Sequence, residues 1–232
     1  MAINFFSLGK FYGIDSLVEL LIILVAISIS YYSYKIYRII KDKNYFLFSL
    51  SFLSIAISFI LKILSNLTIL HQVKITTLNL VITITKASQY MELINFISFI
   101  SYKTLNLIGF LILFFIVTRT KGKEKILLFI YLSITTVFFS IYFNFIFYMT
   151  LIFILSFITT RFYYNYKKIQ SLNSLLVFLG FFLISLSSFI FIFSEANSNI
   201  YLVGEFVRLF GFLALLLNQI KLKNVEQKKD KT

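Results

Sequence analysis

Five of the nine acidic residues in this chain of 232 fall inside, or at the ends of, long apolar stretches. Asp15 and Glu19 stand four apart, one helical turn, at the start of the first such stretch. Glu205 and Arg208 stand three apart in the last, on one helix face. Glu92 and Lys103 are separated by eleven residues, three full turns, which places Lys103 ~16 Å along the same face. Ser88, Asn95, Tyr102 and Asn106 extend that face into a polar stripe. Charged side chains in hydrocarbon are costly, so they bind ions or charged ligands, relay protons, or neutralise one another. Asp15, Glu19, Glu92, Lys103, Glu205 and Arg208 are therefore the candidate ligand or ion-pair residues.

Most other chemistry is excluded by residue type. There is no Cys, hence no disulfide, thiolate metal site or cysteine nucleophile. A single histidine, His71, cannot build a multi-histidine metal site. No G-x-S-x-G, Walker A or G-x-G-x-x-G motif occurs. The last apolar stretch has no Lys between Tyr201 and Ile220, so a retinal Schiff base has no anchor. We expect no enzymatic activity, no metal and no cofactor.

The elements that carry the charges are transmembrane helices. Hydrophobic residues make up 59% of the chain and charged ones 13%, about half of what a soluble domain carries. Mean hydropathy is +0.92. Stretches long enough to cross a bilayer run at about 14–36, 45–66, 90–118, 126–142, 145–160, 172–194 and 200–220. The 126–160 run is continuous, and as one helix it would be ~52 Å long, too long for a ~30 Å core. Basic residues flank it on both sides, so it should fold back at a turn near Tyr142–Phe145, with Asn144 as the turn residue.

Charge gives the orientation. Sixteen of the 22 Lys and Arg lie in alternate loops and the tail: Lys35, Arg38, Lys41 and Lys43; Arg119, Lys121, Lys123 and Lys125; Arg161, Lys167 and Lys168; Lys221, Lys223, Lys228, Lys229 and Lys231. The positive-inside rule then predicts an all-α polytopic membrane bundle of seven transmembrane helices, N-terminus out and C-terminus in. Lys10, Lys62, Lys74 and Lys86 are assigned to the outer side. With no Trp, tyrosines form the interfacial belt: Tyr31, Tyr32, Tyr34, Tyr37 and Tyr45 gather at the basic boundary. The organisation expected is one transmembrane domain, 1–220, and a basic cytoplasmic tail, 221–232.

Three local patterns complete the reading. Ser51, Ser54, Ser58 and Ser65 recur at helical spacing and mark a helix–helix contact. Leu78, Leu80, Ile82 and Ile84 alternate with Thr77, Asn79, Val81, Thr83 and Thr85, a period of two that suits a short outer strand or a further helical turn. Asn66-Leu67-Thr68 matches a glycosylation sequon, but at a span end we read it as coincidence.

The stretch Tyr31-Tyr32-Ser33-Tyr34-Lys35-Ile36-Tyr37-Arg38, then Lys41-Asp42-Lys43-Asn44-Tyr45 and Phe48-Ser49-Leu50-Ser51-Phe52, resembles the helix–basic-loop–helix pattern of uncharacterised archaeal seven-helix membrane proteins. The resemblance covers about residues 11–65 and implies a multi-pass protein of a prokaryotic cell membrane. A composition rich in residues with AT-rich codons points to a low-GC prokaryotic genome.

In this topology Asp15, Glu19, Glu92, Glu195 and Glu205 fall in the outer half, above Lys103 and Arg208. One reading is a polar crevice opening outward and floored by two cations. The favoured one is interhelical pairing that fixes helix register, with Lys103, Glu205 and Arg208 forming one cluster across helices three and seven. Function is expected to be that of a non-enzymatic receptor or sensor-like module. The alternatives are a small-solute or ion transporter using intramembrane charges, and a structural subunit of a membrane complex. Absence of Pro and scarcity of Gly tell against the broken helices of many transporters. Expected partners are the lipid bilayer and another membrane or cytoplasmic protein, not nucleic acid.

Overall fold

The computed structural model describes residues 14–77, 84–119, 123–194 and 198–229, with side chains apart from those of 67–77, 84–92, 123, 125, 198 and 222–229. Among the described residues the chain is seven α-helices with no strand: α1 Ile14–Ile40, α2 Lys43–Thr77, α3 Ile84–Thr118, α4 Lys123–Phe139, α5 Asn144–Ile169, α6 Leu172–Ile192 and α7 Ser198–Lys229. Six contain apolar segments of 21 to 27 residues, ~32–40 Å of helix, long enough to cross a bilayer. The chain is a multi-pass helical membrane bundle.

The helix contacts close into a ring in the order α1, α2, α3, α5, α6, α7 and back to α1. Helix α4 stands outside it, packed only on α3 and α5 among the described residues. The 126–160 run folds back as expected, but two residues early. Backbone bonds from Ser140, Ile141, Tyr142 and Phe143 back to Thr136, Phe138 and Phe139 make the turn. Asn144 opens α5 instead of turning the chain. The apolar part of α4, Ile126–Phe139, spans ~21 Å and is thus the one short member of the expected seven.

Thr77 ends α2 and Ile84 and Thr85 begin α3, so the alternating segment is helical at both ends. Its centre, 78–83, lies outside the described residues. The segment from Lys221 begins as a helical continuation of α7, which runs to Lys229, while the apolar span of that helix ends at Lys221.

The bundle is inverted relative to a soluble protein. Large apolar side chains such as Leu17, Leu24, Leu127, Ile134 and Phe153 face outward and are more than half exposed. Polar side chains such as Ser51, Ser58, Lys62, Asn66, Asn95 and Glu205 are buried between the helices. In hydrocarbon, apolar area gives no net drive between helices, so close packing and polar pairing must hold them. Between α2 and α3, Ser65 donates to Asn95 and the Asn106 amide donates to Ser58 Oγ at 3.2 Å. One turn further, Gly109 lets α3 rest on α2: a Cβ there would come within 2.9 Å of the Ser51 carbonyl oxygen. Ser51, Ser58 and Ser65 thus form the expected contact, while Ser54 bonds the Leu50 carbonyl of its own helix. Helices α6 and α7 meet at Gly180 and Gly211, where a Cβ on Gly211 would approach the Gly180 carbonyl to 2.9 Å.

The centre of the ring is filled, not open. Phe52, Phe212, Phe59, Tyr102, Phe147, Tyr148, Phe191 and Tyr201 contact one another in that order, with ring centroids 5.2 to 6.3 Å apart. These rings come from α2, α7, α3, α5 and α6, so the aromatic chain joins five of the six ring helices.

Candidate functional site

The polar centre lies on this aromatic floor, and its hub is Lys62 of α2. Lys62 belongs to the buried face that Ser58 and Ser65 mark, four residues after one and three before the other. That register carries its side chain away from lipid, and it is 1% exposed. Its Nζ lies 2.6 Å from Glu19 Oε1 on α1 and 2.6 Å from Glu205 Oε1 on α7. Both carboxylates are fully buried. Arg208, one turn along from Glu205, places Nη1 3.5 Å from the same Oε1. Two acids and two bases therefore make a formally neutral network joining three helices.

The aromatic floor also faces the cations. Lys62 Nζ is 5.3 Å from the Tyr201 ring centre, and Arg208 Cζ is 4.1 Å from that of Phe191. Ring faces carry partial negative charge and attract cations most strongly where water is absent. Long charged side chains can thus lie flat over an apolar interior.

A polar path leads outward from this hub. The Asn66 amide donates at 3.4 Å to both Glu19 Oε2 and Asp15 Oδ2. Asp15, in the first turn of α1, is half-buried, and Glu19 is ~6 Å further in. The chain Asp15, Asn66, Glu19, Lys62, Glu205, Arg208 thus runs from the end opposite the basic loops into the ring. Asn66 is 2% exposed and engaged with two carboxylates, so the sequon is not an available acceptor.

The structure redistributes the candidate residues. Asp15, Glu19, Glu205 and Arg208 join one network, as the outer-half placement suggested. The expected Lys103–Glu205–Arg208 cluster does not form. Tyr102 and Lys103 are neighbours on α3, ~100° apart around the helix. Tyr102 takes the direction into the ring centre, so Lys103 points toward the α4–α5 turn. There it donates to the Ser140 carbonyl oxygen at 2.9 Å and lies 3.9 Å from the Phe99 ring centre. Asn95 and Asn106 face α2, so the α3 stripe divides among three neighbours. The side chain of Glu92 lies outside the described residues, as does Glu195.

Lys62 fills the place given to Lys103. By charge alone Lys62 falls with the outer loop, although its spacing from Ser58 and Ser65 fits the serine register of α2. The open-crevice reading is also corrected: Glu19, Lys62, Glu205 and Arg208 are all at least 96% buried. What they offer is not a basin but a shared cation. Among the described residues no three His, Asp or Glu are grouped to hold a metal. One ammonium between carboxylates of two different helices can shift toward either, and so links the position of α1 to that of α7.

No protein-family model matches the chain, and searches of curated proteins and of solved structures find no similar one.

Proposed function

We propose that the chain is a non-enzymatic membrane receptor or sensor-like module, in which a change at the Asp15 end of α1 is passed to α7 through Lys62. The observation that carries this reading is the division of Lys62 between Glu19 and Glu205 at equal distance. Charge or ligand arriving at Asp15 competes for Asn66, loosens Glu19, and lets Lys62 move toward Glu205. Helix α7 is 32 residues long, ~48 Å, and leaves the bundle at the basic end, where a partner protein can read its displacement.

The same buried charges favour a second reading, a transporter of protons or small cations. The filled aromatic centre weighs against a passage through the ring. The two readings separate in one experiment on the full chain, which has no native Cys to interfere with labelling. Spin labels at Ile39→Cys and Ile220→Cys report the basic ends of α1 and α7, both exposed. The sensor reading expects Asp15→Asn and Glu19→Gln to shift their distance distribution in nanodiscs, with no proton or Na⁺ flux in proteoliposomes. Unchanged distances together with a flux that Lys62→Arg abolishes overturn it in favour of transport.

A further inference from the structure

Helix α4 and the turn after it hold a buried lysine that the charge network does not use. The apolar part of α4 spans ~21 Å, whereas a hydrocarbon core is ~30 Å thick. Both arms of the hairpin reach a basic residue early. Lys125 lies 15 residues, ~22 Å, before Ser140, and the exposed Arg161 lies 17 residues, ~26 Å, after Asn144. Helix α3 gives the height of the turn. Lys103 against Ser140 and Phe114 against Phe129 set the antiparallel register of α3 and α4. The apolar segment of α3 runs ten residues, ~15 Å, past Lys103 to Leu93, and Leu93, Ile94 and Ile97 on it are about half exposed. Surface suited to lipid thus continues on α3 above the level at which the α4–α5 turn closes.

The turn is also made for hydrocarbon. Turns at a water surface draw on Gly, Pro, Asn, Asp and Ser. This one reads Phe139-Ser140-Ile141-Tyr142-Phe143, and Phe139, Tyr142 and Phe143 are about half exposed or more. Where water is absent each backbone carbonyl needs a donor from the protein, and a helix leaves its last carbonyls free. Here all five from Thr136 to Ser140 are engaged. The Ser140 amide donates to the Thr136 carbonyl at 2.9 Å, and its hydroxyl donates to Val137 at 2.8 Å. The Ile141 amide donates to Phe138 at 3.3 Å, and those of Tyr142 and Phe143 donate to Phe139 at 3.1 Å. The Ser140 carbonyl accepts from Lys103 at 2.9 Å, a side chain only 1% exposed. A turn in water would need no lysine for that carbonyl.

We infer that the α4–α5 hairpin enters from the basic side and turns within the opposite leaflet, beneath lipid, with Lys103 as the residue that positions the turn there. Acyl chains are the partner of this surface, and they fill the step between the turn and Leu93, Ile94 and Ile97 of α3. Tyr142, the most exposed residue of the turn, has an apolar body that lies in the chains and a hydroxyl that reaches back toward the headgroups. Lys103 is then neither a ligand residue nor part of the Lys62 network. It supplies the donor that lets a helix end inside the membrane.

Single cysteines in the full chain test this in nanodiscs of dioleoyl phosphatidylcholine. A reporter fused after residue 142 lacks α5, so the depth has to be read in the intact hairpin. Phe143→Cys marks the turn, while Ile14→Cys and Leu21→Cys, both exposed, mark the start of α1 and a level ~10 Å further in. A charged maleimide should modify Phe143→Cys at least tenfold more slowly than Ile14→Cys. A nitroxide at 143 should meet oxygen more readily than a water-soluble nickel chelate, as one at 21 does. Adding Lys103→Met should raise the maleimide rate severalfold, and Lys103→Arg, which keeps a donor, should not. Modification of Phe143→Cys as fast as Ile14→Cys overturns the depth, and an unchanged rate in Lys103→Met overturns the role of the lysine. Should Lys103→Met fail to fold, a thinner dimyristoleoyl bilayer must speed modification of Phe143→Cys at least tenfold. An unchanged rate there overturns the proposal equally.

Discussion

Lys62 is where the chain departs furthest from a simple hydrophobic bundle. Two cations and two anions without water are each expensive, and only mutual pairing makes them tolerable. Removing one partner leaves an uncompensated charge, so Lys62→Met or Glu205→Gln should each destabilise by about 3–5 kcal/mol. The double variant should recover a clear part of that loss, since it removes one charge of each sign. Unfolding by SDS titration, followed by circular dichroism, measures all three, and strictly additive losses would refute the pairing. Lys103 belongs to a separate site: Lys103→Met should quicken proteolysis at the Ser140–Phe143 turn by severalfold, because it removes the donor to the Ser140 carbonyl. It should leave the Ile39–Ile220 distance unchanged. Much of this site was legible in the sequence, because acids and bases inside apolar stretches announce themselves. Their partners were not. One residue of rotation separates Tyr102 from Lys103, and periodicity along a helix does not say which helix stands opposite.

Helices in this fold are held by what they lack as much as by what they carry. Gly180 and Gly211 allow α6 and α7 to touch backbone to backbone, and each would place a Cβ within 3.0 Å of the other's carbonyl oxygen. Gly211→Val should therefore force the pair apart at a cost of about 1–3 kcal/mol, the range for overpacking a tight contact. The change would appear as a lower midpoint in the same SDS titration. Gly204 faces only the ring of Phe191 within that reach, a side chain that can turn, so Gly204→Ala should cost less than Gly211→Ala. A reversed order would show that the α6–α7 contact is not set at Gly180. Glycine spacing on α7 was visible in the sequence, but Gly180, the other half of the contact, carried no pattern of its own. Similarly, the length of the 126–160 run demanded a turn, whereas its position was fixed by the backbone bonds of Ser140–Phe143 and not by Asn144.

At the scale of the molecule, hydropathy and charge were sufficient for the number of helices and not for their arrangement. Alternating basic loops predict which ends share a side, and a pocket at the ends of α1, α2, α3 and α7 gathers four of them on one face of the bundle. Reporter fusions after residues 43, 123, 168 and 232 should all give a cytoplasmic signal, and fusions after 88, 142 and 198 an exported one. An exported signal at 123 or 168 would mean that α4 and α5 do not return as a hairpin. The exclusion of α4 from the ring was not legible, because its composition matches that of its neighbours and only its ~21 Å apolar length sets it apart.

The division of the four charges of the Lys62 network among the helices has a consequence for biogenesis. Glu19 and Lys62 lie on α1 and α2, consecutive helices, so this hairpin can neutralise itself as it is made. Glu205 and Arg208 lie one turn apart on α7, so that helix enters the membrane already paired. Neither unit has to wait for the other with a naked charge in lipid. When α7 finally closes the ring against α1, Lys62 gains a second carboxylate without giving up the first. Closure is then a merger of two neutral units, and the bonds that close the ring are added only once α7 has been made.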